Sequence, residues 1–121
     1  MVKTIARDEL VKMRAADQKV KVVDVLPRES YEQEHIQGAI SLPLGEIDEN
    51  AAGLLNKEET IVVYCASFEC QASTKAAEKL QALGYKKALD YKGGLKDYKE
   101  GNLPLEGSLH QGTGKAACAA C

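Results

Sequence analysis

Tryptophan is absent and phenylalanine occurs once in the 121 residues, yet an apolar content of 45% is enough for an ordinary core, and the length fits one compact domain. A basic surplus is missing too. The 16 lysines and arginines are scattered among 18 acidic residues, for a formal net charge of -2, so no basic stripe is available to neutralise a phosphate backbone. Nucleic acid is excluded as a partner on this reading. No apolar run approaches the ~20 residues that cross a bilayer, which argues against a membrane partner. The opening "MVKTIARDEL" lacks the apolar centre of a secretory signal, and a cytoplasmic location is the resulting expectation. Cysteine is also scarce: the four are too few for a small secreted disulfide scaffold, and they are placed unevenly, Cys65 and Cys70 together, Cys118 and Cys121 at the end. The two histidines, His35 and His110, stand in no metal-ligand spacing, so neither a structural zinc site nor any other cofactor is expected.

What is present alternates between two periodicities. Leu10, Val11 and Met13 share one face of a helix over about Arg7 to Ala16. The β-branched run Val20, Val22, Val23 and Val25 ends at Leu26-Pro27 and reads as a central parallel strand buried on both faces. "RESYEQEHI" has helix formers anchored by Tyr31 and Ile36, "GAISLPL" is a short strand closed by Pro43, and "GEIDENAAGLLNKEE" is a loose helix. A strand "TIVVYC" follows. Ala76, Ala77, Leu80 and Leu83 then recur at helical spacing until Gly84, a residue suited to the left-handed position after a helix. "KKALDY" reads as another strand, "GGLKDYKEG" as a helix, and "NLPLEG" as the exit. Parallel strands need crossovers, so the alternation predicts an α/β domain over residues 1–107, with helices on both faces of a parallel sheet of about five strands. Residues 108–121, ending in Cys-Ala-Ala-Cys, have no sustained apolar period and are expected to form a flexible tail.

The run "TIVVYCASFECQAS" raises the chemical question. Cys65 ends a strand whose following helix begins within a turn or two, and ligands of open α/β sheets gather beyond such strand ends. Unpaired amides and the helix dipole there favour a thiolate, lowering a thiol from ~8.5 toward ~7.5 or below. A free cysteine at this position serves equally well as a small apolar filler of the strand. Position alone leaves both readings open.

The loop and its flanking segments resemble the rhodanese-like domain family. "VVDVLPRESYEQEHIQGAISLPL" is similar to that family's Asp-Val-Arg opening and its Gly-His-Ile-Pro-Gly-Ala segment, "IVVYC" to its strand into the active-site cysteine, and "YKGGLKDYKEGNLPLEG" to its closing stretch. The resemblance covers residues 4 to 107. It implies a three-layer rhodanese-like fold and a sulfurtransferase, in which a persulfide on Cys65 takes sulfane sulfur from polysulfide, a persulfide or thiosulfate and hands it to a thiol or cyanide. The sequence departs from the pattern at Leu26 for Arg, Glu34 for Gly, Gln37 for Pro and Tyr98 for Trp. The loop "CASFECQAS" is longer than usual, carries no Arg or Lys and contains Glu69, which disfavours dianionic thiosulfate as the preferred donor. A cysteine phosphatase would need an arginine where Gln71 stands.

On this reading Cys65 is the catalytic nucleophile, and Ala66, Ser67, Phe68, Glu69, Cys70 and Gln71 form the substrate-binding loop, their amides cradling the terminal sulfur. Leu26, Arg28, Lys92, Gly93 and Gly94 rim it, with Arg28 or Lys92 supplying the positive charge the loop lacks. Glu69 either repels anionic donors or points outward into solvent, and Phe68 either forms an apolar lip or packs on the adjacent helix. Cys70, Cys118 and Cys121 are candidate resolving thiols. A flexible chain from Pro104 to Cys118 reaches about 20 Å, against a domain radius of gyration of about 14 Å. His35 is expected to brace its loop through the backbone. The alternative function is a binding or redox-sensing module in which a Cys65–Cys70 thiol–disulfide switch alters a partner surface without sulfur turnover. Physiological donor, acceptor, partner proteins and oligomeric state are left open by the sequence.

Overall fold

The computed structural model describes residues 3–16 and 19–108. His110, Cys118 and Cys121, and with them nearly all of the expected tail, lie outside the described residues. Among the described residues seven strands and five α-helices follow one another: β1 (Lys3–Ile5), α1 (Arg7–Ala16), β2 (Lys21–Asp24), α2 (Arg28–Gln33), β3 (His35–Ile36), β4 (Ile40–Ser41), α3 (Ile47–Leu54), β5 (Ile61–Tyr64), α4 (Ala72–Ala82), β6 (Ala88–Tyr91), α5 (Gly94–Glu100) and β7 (Leu105–Glu106). Five strands make the main sheet in the order β1-β6-β5-β2-β4, every pair parallel, as the alternation of helix and strand requires.

β5 lies at the centre, and its Val-rich sequence reflects burial on both faces. Successive side chains of a strand point to opposite sides, which sorts the core into two layers. Ile61 and Val63 join Val23, Ile47, Ala51, Ala76, Ala77 and Leu80, under α3 and α4. Val62 and Tyr64 join Ile5, Leu10, Ile36, Tyr91 and Tyr98, under α1 and α5. Full burial of each such aliphatic side chain contributes about 1.5–3 kcal/mol. The helices on both faces are those the periodicity predicts, and α1 and α4 match their sequence bounds closely.

Two features differ from the sequence reading. The fifth strand of the sheet is β1, three edge residues too short to show a period, paired with β6 from Lys3↔Leu89 to Ile5↔Tyr91. "EHI" does not continue α2: His35 and Ile36 pair antiparallel with Glu106 and Leu105, so the exit segment closes a small second sheet. Gly107, at φ 128, allows this return, because a side chain there would collide with the Gln33 carbonyl. Among the described residues, no helix is long and apolar enough to cross a membrane.

Candidate functional site

The register aligns Asp24, Tyr64 and Tyr91 across β2, β5 and β6, so the segments that follow these strands emerge on one edge of the sheet. Cys65 is the first residue past β5. Parity turns its side chain to the α3/α4 layer, where it is fully buried (0% exposed) and packs with Ala76, with Cys70 and Ala72 partly buried beside it. Its Sγ is joined in a disulfide to Cys70, with the Cα atoms 6.3 Å apart. Its other polar neighbours are Ser73 Oγ at 3.8 Å, itself fully buried in the first turn of α4, and the Ser67 carbonyl oxygen at 4.0 Å.

Residues 66–71 arch from β5 to α4. The Cys70 N–H closes a turn on the Ser67 carbonyl at 3.1 Å. Among the described residues the amides of Ala66, Ser67, Phe68, Glu69 and Gln71 donate to no protein oxygen or sulfur. From below, the start of α5 holds the loop's entry: the Leu95 and Lys96 N–H groups donate to the carbonyls of Cys65 and Ala66, each at 2.9 Å. Gly94 makes this approach feasible. It sits at φ 66, and a Cβ on it would run into the Cys65 carbonyl oxygen.

A polar chain ties the far side of the loop to β6. Lys92 Nζ donates to the Cys70 carbonyl at 2.9 Å and to Thr74 Oγ1 at 3.1 Å, and Thr74 Oγ1 donates to Asp90 Oδ2 at 2.6 Å. Asp90 is 2% exposed, and its Oδ1 has no hydrogen-bond partner among the described residues. Lys92 is therefore at the loop, as the sequence places it, but its ammonium is engaged by the loop's own backbone and a threonine. Arg28 is exposed and pairs with Glu46, at the rim of a cleft lined by Val25, Leu26, Pro43, Leu44 and Ala72. Glu69 is exposed, and Phe68, 63% exposed, borders a groove with Arg7, Tyr91, Lys92 and Gly93. Sequence reasoning passed over Ser73, Thr74 and Asp90. The available signals were two hydroxyl residues opening the helix after the cysteine loop and an acid inside an otherwise apolar strand.

A buried network braces β5 from the other face. Tyr64 Oη donates to Asp24 Oδ2 at 2.8 Å and accepts from the Ile36 N–H at 3.0 Å, while Asp24 Oδ1 accepts from the Leu26 N–H at 2.8 Å. Burial raises the Asp24 carboxyl above the ordinary 3.8, against the lowering effect of the hydrogen bonds from Leu26 and Tyr64 and of His35. Burial and the Asp24 charge push the Tyr64 hydroxyl far above 10. His35 stacks on Tyr31, its ring centroid 3.8 Å away, and its Nδ1 lies 2.6 Å from the Tyr31 carbonyl oxygen, so it braces its segment through the backbone.

Comparison with known proteins matches this geometry to one family. The model of the rhodanese-like domain matches residues 6–101. Thiosulfate sulfurtransferase PspE of Escherichia coli is 42% identical over 76 residues, spanning 62% of this chain and 70% of PspE. The putative sulfur carrier protein YrkF of Bacillus subtilis is 34% identical over 83 residues, and these cover 69% of this chain but 43% of YrkF, which is thus matched over less than half its length. The solution structure of the rhodanese-like domain of the Alr3790 protein from Anabaena superposes with a TM-score of 0.79 at 28% identity, covering 97% of this chain and 88% of that one.

Proposed function

Because the chain belongs to the rhodanese-like domain family, whose similar members include named sulfurtransferases, we propose that it moves sulfane sulfur through a persulfide on Cys65. The observation that carries this reading is the placement of Cys65 past the central strand, beneath an arch in which every amide but that of Cys70 is uncommitted among the described residues. Reduced to the thiolate, Cys65 attacks the outer sulfur of a donor R–S–SH. A Cys65 S–S bond forms, the donor's S–S bond breaks, and the donor leaves as R–S⁻. The acceptor, a thiolate or cyanide, then attacks the outer sulfur and returns Cys65 as a thiolate. The terminal sulfur carries negative charge between the two steps, and the free amides of Ala66 to Glu69 and of Gln71 are suited to hold it.

Donor preference follows from charge. PspE is named a thiosulfate sulfurtransferase, but the present loop has no Arg or Lys, exposes Glu69, and borrows Lys92 only as a strut for the Cys70 carbonyl. A dianion gains little there. Persulfides R–S–SH, which need not present a dianionic group to the loop, are the better-matched donors, with a protein thiol as acceptor in line with the carrier name of YrkF. The test compares transfer rates from thiosulfate, polysulfide and glutathione persulfide, under excess dithiol so that the loop disulfide stays reduced. Glutathione persulfide outpacing thiosulfate, and all activity lost in Cys65→Ser, is the expected pattern. A preference for thiosulfate refutes the donor assignment, and activity surviving in Cys65→Ser refutes the reading.

One observation favours a second reading, a redox-sensing module without turnover: the Cys65–Cys70 bond itself. That reading predicts reversible disulfide formation and no transfer from any of the three donors.

A further inference from the structure

The same bond defines which atoms of a persulfide can be reached, and by what. Cys65 Sγ is fully buried between β5 and α4. In the disulfide form Sγ is enclosed by Cys70, Ala76 and Ser73, so Cys70 is the thiol placed to reach the inner sulfur of a Cys65 persulfide once the reduced loop has admitted a donor. Cys70 alone among the described thiols already touches Sγ, and it does so with its backbone anchored on both sides, by the Ser67 turn and by Lys92. The Cα separation of 6.3 Å lies inside the ordinary range for a disulfide, so the contact needs no opening of the fold.

We propose, on the premise that Cys65 carries a persulfide, that Cys70 is a resolving thiol which diverts the chain from sulfur transfer to sulfide release. Cys70 thiolate attacks Cys65 Sγ. With the outer sulfur protonated by the proton that Cys70 gives up, the Sγ–Sγ bond forms, the bond from Sγ to the outer sulfur breaks, and the outer sulfur leaves with the electron pair as hydrosulfide, which takes a second proton from water to give hydrogen sulfide. The disulfide left behind is the bond seen in the structure, and a dithiol reductant returns both cysteines to thiols while becoming a disulfide itself. The net reaction is R–S–SH plus a dithiol giving R–SH, hydrogen sulfide and the oxidised dithiol: persulfide reduction. Attack at the outer sulfur by an external acceptor yields transfer, attack at the inner sulfur by Cys70 yields sulfide, and the acceptor concentration decides between them. A tethered thiol competes at high effective concentration, so release dominates when acceptors are scarce.

The experiment uses the full chain, reduced, freed of reductant, treated with inorganic polysulfide and desalted. Wild type is expected to release one sulfide per Cys65 persulfide without added thiol, and a non-reducing peptide map to show Cys65 joined to Cys70. In Cys70→Ser the release is expected to slow by about tenfold or more, with the persulfide persisting on Cys65 until cyanide withdraws it as thiocyanate, which also reports that the variant is folded. Equal release from Cys70→Ser, or a map joining Cys65 to Cys118 or Cys121 instead, overturns the resolving role and leaves the persulfide reading standing. No sulfur gained on Cys65 in either protein overturns both.

Discussion

At the residue scale the site rests on a few contacts with no slack. Gly94 combines a left-handed backbone with a close approach to the Cys65 carbonyl, so Gly94→Ala is expected to cost about 1–3 kcal/mol and to shift the loop that holds Cys65; urea unfolding alongside a transfer assay checks both. Tyr64→Phe strips a hydrogen bond from Asp24 and orphans the Ile36 amide, for an expected loss of about 1–3 kcal/mol. The same tyrosine fixes a pH dependence. Its hydroxyl, like that of Tyr91, is held protonated in the fold well above the ordinary 10.0, chiefly by burial. Above pH 10 the unfolded chain releases protons that the native chain keeps, so stability is complete below that pH and falls as pH rises past it. Thermal melts from pH 8 to 11 are expected to show this fall, shallower in Tyr64→Phe than in wild type. The placement of Cys65 between a strand end and a helix start was legible in the sequence, because both bracket it within one short segment. The contacts of Lys92 were not, since a sequence gives the sign of a charge but not the carbonyl it will meet. Asp90 was hidden for a similar reason: its partner Thr74 lies across the helix–strand packing.

At the scale of elements, α4 is the piece that presents the site, packed on β5 and β6 through Ala76, Ala77 and Leu80. Leu80→Ala is expected to destabilise the domain by about 2–5 kcal/mol, as read from denaturant midpoints, because the vacated space lies between helix and sheet where neither can collapse freely. The cross-link that spans the loop entering α4 acts differently. It joins cysteines five apart in sequence, a short closed loop, so its reduction is expected to lower stability by roughly 2 kcal/mol. Comparing wild type with and without reductant measures that loss, and Cys70→Ser, which lacks the bond, should show no such difference. Helices α1 and α4 and the buried strands β2, β5 and β6 carry strong local periods and could be read directly. The edge strand β1 and the β3–β7 pair could not, because three residues hold no period and the pairing of His35 with Glu106 is settled by distant chain segments.

For the molecule as a whole, the all-parallel order puts the ends of β2, β5 and β6 on one edge, and Cys65 at the end of the middle strand is flanked by segments from both neighbours. The overall α/β architecture follows from the alternation of elements, and the family resemblance of the sequence is matched by a rhodanese-like domain model over residues 6–101. Near-balanced charge, with 16 basic and 18 acidic residues, leaves no strong global field, so under the proposed function transfer rates are expected to change little between low and moderate salt. Stopped-flow transfer at two ionic strengths checks this. The proposed persulfide chemistry stands or falls on where sulfur resides. Peptide mass spectrometry of polysulfide-treated, reduced Cys70→Ser, in which no loop thiol competes, locates it: the prediction is one added sulfur on Cys65, removed by a small thiol. Sulfur found only on Cys118 or Cys121, or on no cysteine at all, would contradict it.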